Sequence, residues 1–377
     1  MFHKAFSPFN QITISADAIA ENYHYFQSTY PQAVFAPVIK SNAYGHGLSE
    51  VGPIVDRLHA PYLCVNDMLE AETLRSLRIK TPILILGYTD PKSYQTLKKI
   101  PHTLTITDIS QLEVLNTYQP GIKVHIKIDT GMNRLGVKLS QIPAFIDVAK
   151  NTEAVDFEGI FTHLASADEK EGNAQTKQQI DRFKEALRMF RHYGFLFKWR
   201  HVGNTAGASR IKDPDFNMAR LGMGLYGYSP FPVLSRLGKL QRKALIPALS
   251  FTSHLVAIKT LERGESVGYG ATYLATRPAV IGTVPIGYFE GLKRGLSNRG
   301  SMLITGVECP IVGRVCMNMA MIDITQVKNP VIGLPVTVVS GNPKHPNTAD
   351  RLAKTAGTVT HDFLAGLNSS LPRIVKD

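Results

Sequence analysis

The chain has 377 residues, 44% hydrophobic and 19% charged, which describes a globular protein too long for one ordinary domain and argues against disorder. Its formal charge of +12 comes from scattered lysines and arginines with no block of like charge and no basic helix face, so nucleic-acid and membrane partners are not expected and a bulk attraction for anionic ligands remains. The three cysteines, Cys64, Cys309 and Cys316, form neither a CxxC pair nor a metal spacing, the first ten residues lack the apolar core of a signal peptide, and no run reaches the roughly eighteen apolar residues of a membrane span; the expectation is a soluble, cytoplasmic protein without a bound metal.

In chain order, the opening segment ends in an alternating run, Ile12-Thr13-Ile14-Ser15, that is expected to join a later β domain. From residue 33 to about 228, short β-rich runs alternate with longer helical patterns, the signature of a parallel sheet with crossover helices. Strands are predicted at 34–39, 62–65, 83–86, 104–107, 124–129, 157–162, 199–202 and 217–220, and eight such repeats favour a closed (β/α)8 barrel over an open sheet. Helix signals lie between them: Asn66 as an N-cap before Met68, and apolar residues at helical spacing from Gln178 to Arg191. After about residue 245 the pattern changes to strands without helices between them, at 249–261, 265–273, 280–286, 301–304, 311–324 and 336–340. The expected organisation is a barrel over 12–242 and a mostly β domain over 243–377, joined by an N-terminal strand from 1–11, with the boundary in the stretch 229–247, rich in proline and basic residues.

Active sites of such barrels lie at the C-terminal ends of the strands, which singles out Lys40 after the first strand, Asp129 after the fifth, His163 after the sixth, Asn204 and Thr205 after the seventh, and Arg220 and Gly222 at the eighth. A lone strand-end lysine usually extends its ammonium to solvent, and glycines in such turns mostly serve geometry. Here Lys40 ends an apolar run and is followed within six residues by Tyr44 and His46, so a desolvated amine would stand beside groups able to bind an anion. Such a lysine can hold a carbonyl cofactor as a Schiff base. The loops Gly203-Asn204-Thr205-Ala206-Gly207 and Leu221-Gly222-Met223-Gly224 occupy the usual phosphate position of this barrel, and jointly these segments favour a phosphorylated cofactor.

The dodecamer Ala36-Pro37-Val38-Ile39-Lys40-Ser41-Asn42-Ala43-Tyr44-Gly45-His46-Gly47 resembles the pyridoxal-phosphate attachment segment of the alanine racemase family, and the resemblance spans nearly the whole chain. It implies that Lys40 carries pyridoxal 5'-phosphate, that Tyr44 and the loops with Asn204, Thr205, Gly222 and Met223 hold the phosphate, and that Arg220, supported by His163, hydrogen-bonds the pyridine nitrogen. A guanidinium does not give up its proton at ordinary pH, so that nitrogen would stay unprotonated, which weakens the cofactor as an electron sink and discourages transamination and decarboxylation. The same resemblance assigns Arg134, Tyr288 and the Met317 amide to the substrate side, and implies carbamylation of Lys127, which would orient Arg134. In Glu265-Ser266-Val267-Gly268-Tyr269-Gly270-Ala271, an aromatic between glycines in a strand is usually structural, but the segment resembles the family's second base. Racemisation removes a proton from one face of a planar carbon and delivers one to the other, so it needs two acid/base groups, Lys40 and Tyr269, the latter arriving from the second subunit of a head-to-tail homodimer.

Departures from the family pattern lie in the entry region and the C-terminal segment. Asn318 and Glu290 stand where many relatives have aspartate, Ser369 where some place a phosphate-binding tyrosine, and Ser370 where an arginine is common. The implied activity is interconversion of L- and D-alanine, supplying D-alanine for peptidoglycan. The alternatives are a racemase of broader specificity (serine and alanine) and a non-enzymatic pyridoxal-phosphate homeostasis protein; a decarboxylase on the same scaffold is disfavoured by Arg220, since those enzymes place an acid at the pyridine nitrogen.

Overall fold

The structure, a computed structural model, describes residues 8–168, 174–210, 213–231 and 236–377. The start of the opening segment, read above for a targeting signal, and residues 232–235 of the expected boundary stretch lie outside the described residues. The chain divides into two compact units, one holding Ile19–Ser41 and Gly52–Leu245, the other the residues up to Ala18, Asn42–Val51 and Ile246–Asp377.

In the first unit the strands β1 (Val34–Pro37), β2 (Leu63–Val65), β3 (Ile83–Ile85), β4 (Thr103–Ile106), β5 (Ile122–Asp129), β6 (Val155–Phe161), β7 (Trp199–Gly203) and β8 (Met218–Leu221) pair in parallel in sequence order, and β8 returns to β1. The seam between β1 and β2 is joined by a parallel bridge, Val38 to Cys64, with the Ile39 N–H donating to the Cys64 carbonyl at 2.9 Å. All eight predicted strands form within two residues of expectation, giving a parallel (β/α)8 barrel. The signal was legible because strands covered on both faces read as continuous apolar runs: Leu63-Cys64-Val65 and Ile83-Leu84-Ile85 are buried at every position. The helix predicted over 178–191 spans Ala174–His192 and buries Thr176, Gln179, Phe183, Ala186, Leu187 and Phe190, one face at spacings of three and four. Before Met68–Ser76 the cap is Asp67 and not Asn66: Asp67 has the extended backbone a cap needs and accepts from the Glu70 N–H at 3.1 Å, while the Asn66 N–H donates back to the Glu70 carboxylate at 2.8 Å.

The second unit is mostly β. A six-stranded sheet runs Val307–Pro310, Ser301–Ile304, Pro335–Val339, Leu249–His254, Gln11–Ser15, Arg373–Lys376; a three-stranded sheet holds Ala257–Leu261, Ala279–Val284 and Ala320–Asp323. The N-terminal strand Gln11–Ser15 pairs antiparallel with Leu249–His254 and parallel with Arg373–Lys376, so this alternating run does join the β sheet, but at 11–15 and not within the expected 1–11, and the barrel unit begins at Ile19 and not at residue 12. Three expected strands differ. The run 249–261 is two strands in different sheets, separated at Leu255-Val256. The run 265–273 is a short hairpin, Ser266–Val267 against Tyr273–Leu274, with a 3-10 turn Tyr269–Ala271 at its tip, because Gly268, Gly270 and Ala271 all take positive φ and end the pleat. Of 311–324 only Ala320–Asp323 is strand, since Gly313 at φ +75° turns the chain away. Two helices, Ala349–Ala356 and Thr360–Ala365, and the strand Arg373–Lys376 follow the last of the expected strands. Among the described residues no helix is long and apolar enough to cross a membrane.

Candidate active site

Lys40 follows β1 and opens a single helical turn, Lys40–Tyr44, whose handedness is unusual: Ser41, Asn42, Ala43 and Tyr44 have φ of 56°, 53°, 52° and 52°. A left-handed turn of non-glycine residues costs about 1–2 kcal/mol per residue, a strain that persists only where its surroundings hold it. Several contacts do so here. The N–H groups of Gly45 and His46 donate to the Asn42 and Ala43 carbonyls at 3.0 Å each, and the Asn42 side chain accepts from the Leu48 N–H at 2.8 Å. Arg373 then takes the Gly45 carbonyl with Nε at 3.1 Å and Nη2 at 3.0 Å. Gly45 itself, at φ +82°, has no room for a side chain, since a Cβ there would lie 1.9 Å from the Leu364 carbonyl oxygen.

The barrel side chains expected at the strand ends form one cationic group. Burial lowers the Lys40 amine below its ordinary pKa, and the neighbouring Arg134 and Arg220 push it the same way. Lys127, near the end of β5, is only 6% exposed and is brought down to about 8 by burial and by Arg134, Arg220 and Lys40. His163 falls to about 3 for the same reasons, burial first and then Arg220, so it is neutral at ordinary pH. Arg134 is exposed on the loop after β5, where the Asp129 carboxylate accepts from the N–H groups of Gly131 and Asn133 at 3.0 Å each and shapes the turn.

Arg220 is buried, and each guanidinium contact has a definite sense because arginine can only donate. Nη2 donates to the Thr162 carbonyl at 2.8 Å and lies 3.2 Å from His163 Nδ1; Nη1 donates to His201 Nδ1 at 2.8 Å and to the His201 carbonyl at 3.3 Å. The guanidinium also lies over the Phe161 ring, 5.0 Å from its centre. The strand-end rule does not mark His201, which lies inside a predicted strand. The available signal was a polar residue inside an otherwise apolar run.

The loops after β7 and β8 meet at Thr205. Its buried hydroxyl accepts from the N–H groups of Gly222 and Gly224 at 3.1 and 3.3 Å, and Asn204 closes its own loop by accepting from the Gly207 N–H at 2.8 Å. A Cβ on Gly224 would lie 2.5 Å from the Phe26 ring, so this glycine allows close packing. Met223 is half-buried between Gly222 and Gly224. A desolvated amine, a donor-only guanidinium and small-residue loops on a basic rim form a donor set suited to a phosphorylated aromatic aldehyde.

In the second unit Tyr269 is 73% exposed at the hairpin tip. The hairpin stands on a small core of Val267, Ala279, Ile281 and Val312. Tyr288 and Met317 are exposed, and their segments are sewn together by the Tyr288 N–H donating to the Cys316 carbonyl at 3.0 Å and the Phe289 N–H donating to the Met317 carbonyl at 2.9 Å. The two departures at Asn318 and Glu290 are partners: the Asn318 amide donates to the Glu290 carboxylate at 2.8 Å, and the other carboxylate oxygen accepts from the Gly287 N–H at 2.8 Å. Ser369 and Ser370 are exposed; the Ser369 carbonyl accepts from Arg373 at 3.1 Å and the Ser370 hydroxyl donates to Asn368 at 2.8 Å. Arg373, which also donates to the Leu371 and Asn368 carbonyls, was not singled out from the sequence because nothing local marks an arginine that binds a turn 328 residues away.

A parallel barrel carrying a buried lysine and arginine at its strand ends, followed in the chain by a β unit, defines a class of two-part barrel proteins. Residues 14–230 match the family described as alanine racemase, N-terminal domain, and residues 248–375 that described as alanine racemase, C-terminal domain. The chain is 33% identical over 370 residues to alanine racemase 2 of Caldanaerobacter subterraneus subsp. tengcongensis, covering 97% of this chain and 94% of that one. Among solved structures, alanine racemase from Clostridium difficile 630 superposes with a TM-score of 0.89 at 30% identity, over 98% of this chain and 96% of that one. Alanine racemase from Bacillus anthracis with bound L-Ala-P gives a TM-score of 0.89 at 29% identity, over 99% and 96%. The chain belongs to the alanine racemase family, as its attachment-like segment implied.

Proposed function

We propose that this protein is an alanine racemase, an amino-acid isomerase that uses pyridoxal 5'-phosphate to interconvert L- and D-alanine, acting in the cytoplasm as a head-to-tail homodimer and supplying D-alanine for the cell wall. The observation that carries the reading is the Lys40 amine, held below its ordinary pKa by burial beside Arg134 and Arg220 at the end of β1. The bound cofactor would draw electrons from the α-carbon of an amino acid and make its proton labile. The barrel (within 12–242) supplies the cofactor side, with Lys40, Tyr44, His163, Asn204, Thr205, Arg220, Gly222 and Met223 holding the group; the β domain (243–377 with the N-terminal strand) supplies Tyr269.

Lys40 Nζ takes or returns the proton on one face of the α-carbon, and its lowered pKa keeps a neutral fraction available for that work. The Tyr269 hydroxyl does so on the other face. Its high exposure in a single chain suits a group whose working position is the partner's site. Arg134 and the Met317 N–H orient the carboxylate, Tyr288 narrows the entrance, and Lys127, whose pKa of about 8 leaves a usable fraction of neutral amine, is carbamylated and so braces Arg134.

The test follows α-proton exchange into deuterium oxide from each alanine enantiomer, with racemisation measured in parallel. Lys40→Ala should lose both; Tyr269→Phe should retain cofactor and lose mainly one direction of exchange. A fully active Tyr269→Phe enzyme would remove the two-base assignment, and turnover of serine at the rate of alanine would change the substrate.

A further inference from the structure

Behind Arg220 a buried polar chain crosses the barrel interior. His201 on β7 accepts from Arg220 at Nδ1 and places Nε2 2.9 Å from Nδ1 of His125 on β5. His125 Nε2 lies 3.6 Å from Oε2 of Glu158 on β6, longer than an ordinary hydrogen bond but within direct electrostatic contact. Glu158 ends the chain: Tyr62 donates to Oε2, and Lys123 to Oε1 at 2.7 Å. His201, His125 and Glu158 are 0%, 0% and 7% exposed, so water is largely excluded from the path.

The ends of this chain determine its sense. A guanidinium only donates, so His201 Nδ1 must be an acceptor and its proton must sit on Nε2. That proton then points at His125 Nδ1, which must accept in turn, leaving the His125 proton on Nε2, facing a carboxylate that only accepts. Either ring in the other tautomer would set two donors or two acceptors face to face in a dry interior. The barrel is also shaped for this path. A Cβ on Gly159, next to Glu158, would lie 2.7 Å from three atoms of the His125 ring, so the glycine leaves the space the imidazole occupies. The Phe161 ring stacks on His201 at 4.6 Å with 11° between planes and fixes that ring's orientation. Burial alone would raise the Glu158 carboxyl, but contacts with His125, Lys123 and Tyr62 outweigh it and hold it at about 2, so the acceptor end is charged at any working pH.

We propose that Glu158 is a positioning residue for Arg220: as the charged acceptor that ends the chain, it strengthens the neutral, Nε2-protonated arrangement of His125 and His201 that the guanidinium requires, and so holds an acceptor turned toward the guanidinium that the functional reading places against the cofactor. The proposal rests on that reading for its consequence, though not for its geometry.

Nitrogen-15 spectra of histidine-labelled full-length holoenzyme near neutral pH test it. His125 and His201, assigned by single replacement, should each show one protonated nitrogen, Nε2. A Glu158→Gln variant, which keeps shape and an acceptor oxygen and removes charge, leaves Arg220 to impose the same tautomers, so both rings should stay Nε2-protonated while the His125 Nε2 signal, no longer facing a carboxylate, and the visible absorbance of the bound cofactor both shift. It should also lose roughly ten- to a hundredfold in kcat with KM for alanine within about twofold, and Glu158→Asp should recover part of each. Nδ1 protonation of either ring in the unaltered protein would overturn the proposal even if Glu158→Gln failed to fold, and so would a folded Glu158→Gln variant with an unchanged His125 Nε2 signal and unchanged absorbance. If the rings behave as expected but alanine is not racemised, the functional reading fails and the positioning chain stands.

Discussion

Replacing Gly45 by alanine tests whether the turn that carries Lys40 is held from outside. Three costs are readable from the structure. Alanine at φ +82° pays about 1–2 kcal/mol for the left-handed backbone. The new Cβ would lie 1.9 Å from the Leu364 carbonyl oxygen, and that oxygen belongs to a helix, Thr360–Ala365, anchored by fully buried Phe363 and Leu364, so the turn must yield; overpacking of this kind costs about 1–3 kcal/mol. Moving the turn also stretches the two Arg373 hydrogen bonds to the Gly45 carbonyl, each worth about 1.5–3 kcal/mol at most for a charged donor. Because relaxation trades one cost against another, the expected loss is about 3–5 kcal/mol, a fall in Tm of about 4–6 °C. The assay is thermal unfolding by far-ultraviolet circular dichroism, with and without pyridoxal phosphate, alongside titration of the cofactor by its visible absorbance. The control is Gly357→Ala, at φ +78° with nothing within 4 Å of its Cβ, which should lose only the conformational part, about 1–2 kcal/mol. A Gly45→Ala protein as stable as this control and binding cofactor normally would refute the external clamp.

Three further outcomes are expected. Mass spectrometry of intact, non-acidified protein should find one added carboxyl group that Lys127→Met lacks; where that group is absent, the free Lys127 amine has a folded pKa of about 8 against an unfolded value near 10.4, the unfolded chain binds more protons between these values, and stability should rise with pH from about 8 to 10, a rise that Lys127→Met flattens. Glu158 has the opposite sign: its carboxyl is depressed to about 2 from 4.5, so its stabilisation is present above pH 4.5 and is lost as the pH falls toward 2, and urea unfolding at pH 3 and pH 7 should show a smaller difference for Glu158→Gln than for the unaltered protein. Asn318→Asp places a second carboxylate where an amide donates to Glu290 at 2.8 Å, and should cost about 1–3 kcal/mol at pH 7 and less at pH 4; an equal cost at both pH values would show that charge repulsion is not the cause.

The barrel was written in the chain because its strands are covered on both faces, so a run such as Ile83-Leu84-Ile85 is apolar throughout and is punctuated by helices of regular period. The strand-end residues followed from that count, and burial together with the charges of Arg134 and Arg220 lowers Lys40, Lys127 and His163. In the β unit, alternation marks a strand without saying where it leaves one sheet for another, which is why the run 249–261 divides in two. Positive φ at Gly268, Gly270 and Ala271, which turns the Tyr269 segment into a hairpin tip, depends on local backbone geometry that glycine permits and does not compel.

Residue order therefore settled the family, the barrel and the chemistry available at its strand ends, since these rest on local periodicity and on motifs contiguous in the chain. Only the folded chain decided what stands behind those groups: Arg373 on the turn that bears Lys40, Asn318 against Glu290, and His201, His125 and Glu158 in line behind Arg220. Each of these is a pairing between residues distant in sequence, and neither composition nor spacing encodes which distant carbonyl, carboxylate or imidazole a side chain will meet.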